Sequence, residues 1–377
     1  MGLPTIPKVG KDITQCHLSN EGVINMPTIC TFNANNLFVR FQFGRTFPGD
    51  RSGKSLVENP NTGYLPVYDP DLIEVFNETQ RELAARVLTN DGKDFPDVIC
   101  LQEIESVIAL RKFNEVFLRE KYPFALLIDS RDFRQIDVGI LSRLKILDVR
   151  THLDDVDVNF PGKAPKGPPK KPRLFSRDCL EVDLALNKSG TTQLTLFINH
   201  LKSKYSDTAA EREKSDKLRK RQAKAVSKII HERFPGAKFD QELFAVVGDF
   251  NDEFLSPPVL PLTRDSGLIN VVDRLPSSQD QWTYWYRGQN SVSQIDYLLL
   301  SPALDAATAG IIPRIERRGI SFATILADGK PGPKQSHLHR SDADPNPTQV
   351  DFRFTRFKEV TRDNYASDHC PVFLDIP

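Results

Sequence analysis

The sequence predicts an α/β layered fold. Short apolar runs, each ending in polar residues, recur along its 377 residues, and helical patterns with one apolar stripe lie between them. No internal repeat interrupts this alternation.

The runs "PTICTFNANN", "DVICLQEIES", "DVGILSR", "DCLEVDLAL", "LTLFINHLKS", "FAVVGDFND", "QIDYLLLS" and "CPVFLDI" are rich in Val, Ile, Phe and Leu and bounded by turn formers. They read as strands buried on at least one face. Three helices are predicted between them. In "SDKLRKRQAKAVSKIIHERF", Leu218, Ala225, Val226, Ile229 and Ile230 form one apolar stripe with basic residues elsewhere. Similar stripes run through "LIEVFNETQRELAARVLTN" and "VIALRKFNEVFLREKY". Phe41 to Asp69, the stretch "FPGKAPKGPPKKPR" and roughly Ala323 to Asn364 read as long loops.

Composition excludes several classes. Charged residues make up 27% and hydrophobic residues 39%, which is ordinary for a folded, water-soluble protein. The 50 basic and 50 acidic residues cancel, so any electrostatic argument about a partner must be local. No stretch approaches the roughly 20 apolar residues of a membrane span. Cys16, Cys30, Cys100, Cys179 and Cys370 have no close pairs, and most lie in apolar runs, which favours buried, reduced thiols and argues against a zinc site. The start "MGLPTIPKVGKDITQ" lacks a secretory pattern, so a cytoplasmic location is favoured; a secreted or periplasmic protein whose leader had been removed would read the same way.

The chemistry collects where the strands stop. "TFNANN" puts Asn33 and Asn35 on one face of an extended chain, and "VVGDFND" does the same with Asp249 and Asn251. "ICLQEIE" delivers Glu103, "INHLKSK" His200 and Lys202, "SQIDYLLL" Asp296, and "NYASDHCPV" Asp368 and His369. A single polar residue at a strand end is usually only its first solvated position. Together, these supply oxygen ligands for a hard cation and two imidazoles for proton transfer, an inventory suited to Mg²⁺-assisted hydrolysis of a phosphate ester.

With those motifs in that order, the chain resembles the endonuclease/exonuclease/phosphatase superfamily, whose best-known member is deoxyribonuclease I. The likeness runs from Thr31 to the C-terminus. "FNANNLF" resembles the first motif, "CLQEIE" the glutamate motif, "FSRDCLEVDL" the arginine strand, "NHLKSK" the histidine motif, "GDFND" the Asp-x-Asn motif, "IDYLLLS" the late aspartate and "SDHCPV" the terminal Asp-His. "NHLKSK" followed by a basic helix is most similar to the bacterial nuclease-like branch.

The resemblance implies a four-layered sandwich, with two mainly antiparallel sheets face to face and helices outside. The expected single domain covers residues 28–377, after an N-terminal extension at 1–27, with insertions near 41–69, 158–173 and 323–364. It implies His369 as the base that takes a proton from water, and Asp296 as the carboxylate that orients it. Glu103 matches the principal metal ligand, with Asp368 and Asn35 near the metal, although the position of Asn35 carries an acid in many relatives and an amide should weaken the site. Asp249, Asn251 and His200 match groups that orient water, hold metal or phosphate and assist the leaving oxygen. Asn33, Arg177, Lys202 and Ser367 fall on the phosphate or substrate side. The implied cofactor is Mg²⁺, with Mn²⁺ or Ca²⁺ as alternatives, and the implied partner is nucleic acid acted on by a monomer.

The function expected is a metal-dependent nuclease. The alternative is a phosphatase or phospholipase of the same superfamily acting on lipid headgroups or small phosphate esters. A non-catalytic binding module would have lost Glu103, Asp249 or His369, and none is lost. Local charge favours a polyanion: Lys163, Lys166, Lys170, Lys171 and Arg173 fill the Pro-rich loop, and Lys202, Lys204, Lys217, Arg219, Lys220, Arg221 and Lys224 follow His200. "GDRSGKS" is one residue short of a phosphate-binding loop and follows no buried strand. His337 and His339 in "HLHR" lack further ligands, and His17, His152 and His231 match no motif.

Overall fold

The computed structural model describes residues 26–37, 78–155, 173–204, 208–321 and 355–376, apart from positions 131, 133, 135, 278–279 and 288–290. It also gives the backbone of short strands at 17–18, 24–25, 57–59, 63–65, 325–326 and 339–340.

Apolar residues on both sides of a strand require a cover on both sides, and the predicted runs show little alternation. The solution is two six-stranded sheets stacked on one another. The first is built from β1 (Thr28–Leu37), β2 (Val98–Ile104), β3 (Phe124–Leu127), β4 (Asp137–Ser142), β13 (Arg314–Ile315) and β14 (Val372–Asp375), in the order β13-β14-β1-β2-β4-β3. The second holds β5 (Ile146–Arg150), β6 (Leu180–Ala185), β7 (Gln193–His200), β8 (Phe244–Asp249), β9 (Ile269–Asn270) and β12 (Asp296–Leu300), in the order β9-β12-β8-β7-β6-β5. Between β9 and β12, β10 (Tyr284–Tyr286) and β11 (Ser291–Ser293) form a separate hairpin.

Each sheet has one parallel pair, β1 with β2 and β7 with β8, and its other pairs are antiparallel. A parallel pair needs a crossover, and the predicted helices supply it. Helix α1 (Glu78–Leu88) precedes β2, α2 (Val107–Phe117) follows it, and α3 (Ala209–Arg233) and α4 (Lys238–Gln241) lead from β7 to β8. Two short helices, α5 (Leu260–Thr263) and α6 (Pro302–Ala307), follow β8 and β12.

The alternation of Cβ atoms sorts each strand into two cores. Ile29, Val98, Cys100 and Ile140 of the first sheet meet Val182, Leu196, Ile198, Val247 and Leu298 of the second. On the outer face of the first sheet, Phe32, Ile99 and Leu101 pack under Leu83, Val87, Leu110 and Phe113 of α1 and α2. Phe197, Phe244 and Val246 pack under Val226 and Ile230 of α3. The four layers are therefore helix, sheet, sheet and helix, as the resemblance implies.

Boundaries shift where caps decide them. The third predicted helix begins earlier than its apolar stripe, because Thr208 and Glu211 form a reciprocal capping box. The α2 pattern continues to Tyr122 in sequence, but Arg119 and Glu120 take positive φ and end the helix. Residues 72–77 of the expected first helix lie outside the described residues, as do "GDRSGKS", His337, Cys16 and the lysines of the Pro-rich loop. The other four cysteines are buried and free, as expected.

Candidate active site

Register brings the strand ends to one edge of the sandwich. His200 on β7 sits beside Asp249 on β8, which in turn faces Asp296 on β12. From the opposite sheet come the ends of β1 and β2 and the segment leading into β14.

These ends leave regular strand geometry. Pairing of β1 with β2 shifts register between Asn33 and Leu37, and that of β2 with β4 shifts between Gln102 and Ile104. Such bulges re-aim side chains. Asn35, Asn36, Glu103 and Asn251 all have φ between 48° and 64°, the left-handed region where residues other than glycine are uncommon. Strain of this kind persists only where surrounding bonds enforce it, and here they do. The Asn36 amide donates to Oε2 of Glu103 at 3.0 Å, and the Asn35 amide donates to Oδ1 of Asn33 at 3.0 Å. The Asn251 amide donates to Oδ1 of Asp249 at 2.7 Å.

His369 connects the two sheets. Its Nδ1 lies 2.9 Å from Oδ2 and 3.0 Å from Oδ1 of Asp296, and its Nε2 lies 4.0 Å from Oδ2 of Asp249. Thr283 donates its hydroxyl to Oδ2 of Asp296 at 2.8 Å, so that carboxylate is fixed from behind. The Ser367 hydroxyl donates to the Asn33 carbonyl at 2.8 Å and accepts the His369 amide at 3.0 Å. Ser367 is fully buried and occupied by these bonds, which makes it a tie between segments.

Asp249 gathers the remaining groups. Its Oδ2 accepts Nδ2 of Asn33 at 3.0 Å and Nδ2 of Asn251 at 3.1 Å, and it lies 3.4 Å from Nε2 of His200. Arg177 donates Nη1–H to Nε2 of His200 at 2.7 Å, which leaves the imidazole proton on Nδ1. That Nδ1 has no protein partner among the described residues. Glu103 Oε1 is 3.9 Å from Nε2 of the same ring. Lys202 is half-buried next to this group, and Asp368 is partly exposed with Oδ1 3.9 Å from Nε2 of His369. The side chain of Asn35 accepts Nδ2 of Asn36 at 3.0 Å. Eleven of the twelve site residues expected from the sequence are thus linked by these contacts, and Lys202 lies beside them.

Several neighbours escaped the sequence reading. Asp132 sits 3.3 Å from Nε of Arg177, and buried Arg81 on α1 reaches the Asn36 carbonyl. The Tyr284 ring lies 4.7 Å from that of His369. Nothing local marks Thr283, Asp132 or Arg81 in the sequence, since each acts on a residue distant in the chain.

Protonation follows burial. Burial pushes the Glu103 carboxyl up, although His369 and Arg134 oppose it. Burial likewise raises Asp249, with the Asp296 charge adding to the shift. Burial and the charges of Arg177 and Arg134 hold His200 well below its usual range, so it is neutral. His369 goes the other way: burial opposes its charge, but Asp296, Asp249 and Asp368 outweigh that and raise its pKa. Burial leads both carboxyl shifts, and three carboxylates together hold the His369 proton. That fits a cation among oxygen donors. Asp249, Asp296 and His369 offer ligand atoms within 4.8 Å of one another, but Asp296 is committed to His369 and Thr283.

Residues 30–369 match the Endonuclease/Exonuclease/phosphatase family. The chain belongs to that family. The endonuclease/exonuclease/phosphatase family comprises hydrolases of phosphate esters, and the two stacked sheets have its deoxyribonuclease I-like fold. No curated protein sequence matches. Among solved structures, the chain is similar to sphingomyelinase C from Streptomyces griseocarneus at 16% identity, over 93% of this chain and 99% of that one, with a TM-score of 0.48. It is similar to a beta toxin from Staphylococcus aureus at 13% identity, over 93% and 100%, with a TM-score of 0.49. The human Nocturnin catalytic domain with bound sulfate matches at 14% identity, over 93% and 94%, with a TM-score of 0.48.

Proposed function

We propose that the chain is a metal-dependent phosphodiesterase acting on nucleic acid. The observation that carries the reading is the Asp296–His369 pair aimed at Asp249, with Glu103 facing them from the other sheet. Asp296 holds one proton of His369 on Nδ1, so it is Nε2 that, in the neutral form of the ring, accepts a proton from water. The resulting hydroxide attacks phosphorus, and the bond to the leaving oxygen breaks. Asp249, whose raised pKa suits a proton donor, stands ready for that oxygen. Arg177 and Lys202 face the phosphate as hydrogen-bond donors and positive charge, with the neutral His200 ring accepting from Arg177 and holding it in place.

Glu103 and Asp368 would hold a divalent cation, with Asn35 alongside. When bound, such an ion polarises a phosphoryl oxygen and offsets the carboxylate charge that otherwise keeps His369 protonated.

Two observations bear on the substrate. Trp282 and Trp285 of the aromatic stretch "WTYWY" are buried, and of its residues only Tyr286 is exposed. Among the described residues this hairpin offers no apolar face for a lipid surface. The basic helix, however, is a less uniform track than its sequence implies. Arg219 is fully buried against Asp252, and Lys204 and Lys217 are paired with Asp252 and Glu213. Arg173 at the end of the Pro-rich loop pairs with Asp154. Exposed Lys220 and Lys224 remain, with the loop lysines outside the described residues.

The test is hydrolysis by purified protein of plasmid DNA, single-stranded DNA, RNA and sphingomyelin vesicles, with Mg²⁺ and with chelator. Chelator-sensitive cleavage of a nucleic acid is expected. Turnover of sphingomyelin alone would move the assignment to the phospholipase alternative.

A further inference from the structure

Three segments of the site are tied to two side chains one helical turn apart on α3. Arg219 is fully buried, and its fork donates Nε–H to Oδ2 of Asp252 at 3.0 Å, Nη2–H to the same oxygen at 2.7 Å and Nη1–H to the Lys202 carbonyl at 2.8 Å. Gln222, buried beside it, accepts the Lys202 amide at 2.8 Å and donates to the Leu174 carbonyl at 3.1 Å.

The anchored residues lie next to the chemistry. Lys202 follows His200 by two residues, Asp252 follows Asn251, and Leu174 precedes Arg177 by three. The loops are also tied to each other, since the Leu201 amide donates to the Asp249 carbonyl at 3.0 Å and Asn251 Nδ2 donates to the Leu201 carbonyl at 3.1 Å. Tyr297 on β12, next to Asp296, donates its hydroxyl to the Asp252 carbonyl at 2.9 Å. A helix whose role was only to cover the sheet would need apolar contacts at these two positions. Instead it buries a guanidinium and an amide whose bonds all go to loop backbone or to Asp252, apart from one to Asp216 on its own surface.

We infer that Arg219 and Gln222 are positioning residues, which set the register of the His200, Asp249–Asn251 and Arg177 segments from one rigid helix. Neither touches the reacting groups. Arg219 acts on Asn251 and Asp249 through Asp252, and Gln222 acts on His200 and Arg177 through the backbone. Displacements near 1 Å in a preorganised site cost about a hundredfold in rate. The inference rests on the hydrolase reading.

The experiment measures hydrolysis of bis(p-nitrophenyl) phosphate with Mg²⁺, alongside thermal melting and circular dichroism. Inert wild-type protein would count against the proposed activity and not against this inference. With active wild type, Gln222→Met, which removes two hydrogen bonds without burying a charge, should lower kcat about tenfold per folded molecule with KM within about twofold. Arg219→Met should lower kcat further and melt early, because it leaves Asp252 buried and unpaired. The double variant Arg219→Met with Asp252→Leu should recover melting temperature but not kcat. If kcat returned with stability, or if Gln222→Met turned over within twofold of wild type, α3 would be only a cover and the inference would fall.

Discussion

Asp296 and His369 stand 73 residues apart in the chain, yet their side chains meet at 2.9 Å across the two sheets. The contact uses Nδ1 and leaves Nε2 facing Asp249. Replacing His369 with Ala should therefore lower kcat by about 10² to 10⁴ while the fold persists, the usual worth of a positioned base. Asp296→Asn should lower kcat with little change in KM, because an amide that donates to Nδ1 selects the wrong tautomer. Steady-state kinetics on one phosphodiester checks both, and a wild-type rate in His369→Ala would rule out the base.

Glu103 is held by the Asn36 amide, and burial pushes its carboxyl up. Added Mg²⁺ should raise the melting temperature of the wild-type protein, since a ligand that binds only the folded state stabilises it. Glu103→Gln should abolish most of that rise and shift the metal dependence of cleavage to higher concentration. An unchanged thermal response would mean that the cation binds elsewhere.

Gly248 adjoins Asp249 at φ 129°, and a Cβ there would stand 1.9 Å from the Asn199 carbonyl oxygen. Both the backbone angle and the space forbid a side chain. Gly248→Ala should cost on the order of 3 kcal/mol and push Asp249 away from His200. Chemical denaturation gives the stability loss, and a stable, fully active variant would contradict the β7–β8 register.

On the outer edge of the second sheet, His152 approaches Asp155 at 3.1 Å and Glu181 at 3.4 Å. Burial opposes its charge, but the hydrogen bonds to these carboxylates outweigh it and raise the pKa above the usual histidine range. A raised folded pKa stabilises fully below the unfolded value of about 6.5 and is lost as pH rises through the folded one. The melting temperature of the wild type should therefore fall more steeply than that of His152→Gln between about pH 6 and pH 8. Parallel curves would show that folding leaves the proton affinity of the imidazole unchanged.

The residue chemistry of the site was legible in the sequence because strands deliver it. An apolar run followed by Glu103, His200, Asp249 or Asp296 has to end in solvent or in a site, and their order matched one family. The layers followed from the family resemblance, since runs such as "TICTF" and "FAVVG" by themselves indicate burial on at least one face only. What only the tertiary structure decided is the use of each group. Arg219 belongs by sequence to a basic group that favours a polyanion, yet packing of α3 on the loops after β7 and β8 buries it against Asp252. Ser367 falls on the substrate side by resemblance, and only the pairing of β14 with β1 brings its hydroxyl to the Asn33 carbonyl. Thr283, Asp132 and Arg81 gain their roles from partners far along the chain. Periodicity reports which face of an element is apolar, because burial acts on each residue alone; hydrogen bonds and ion pairs need two groups within about 3 Å, and that distance exists only after packing.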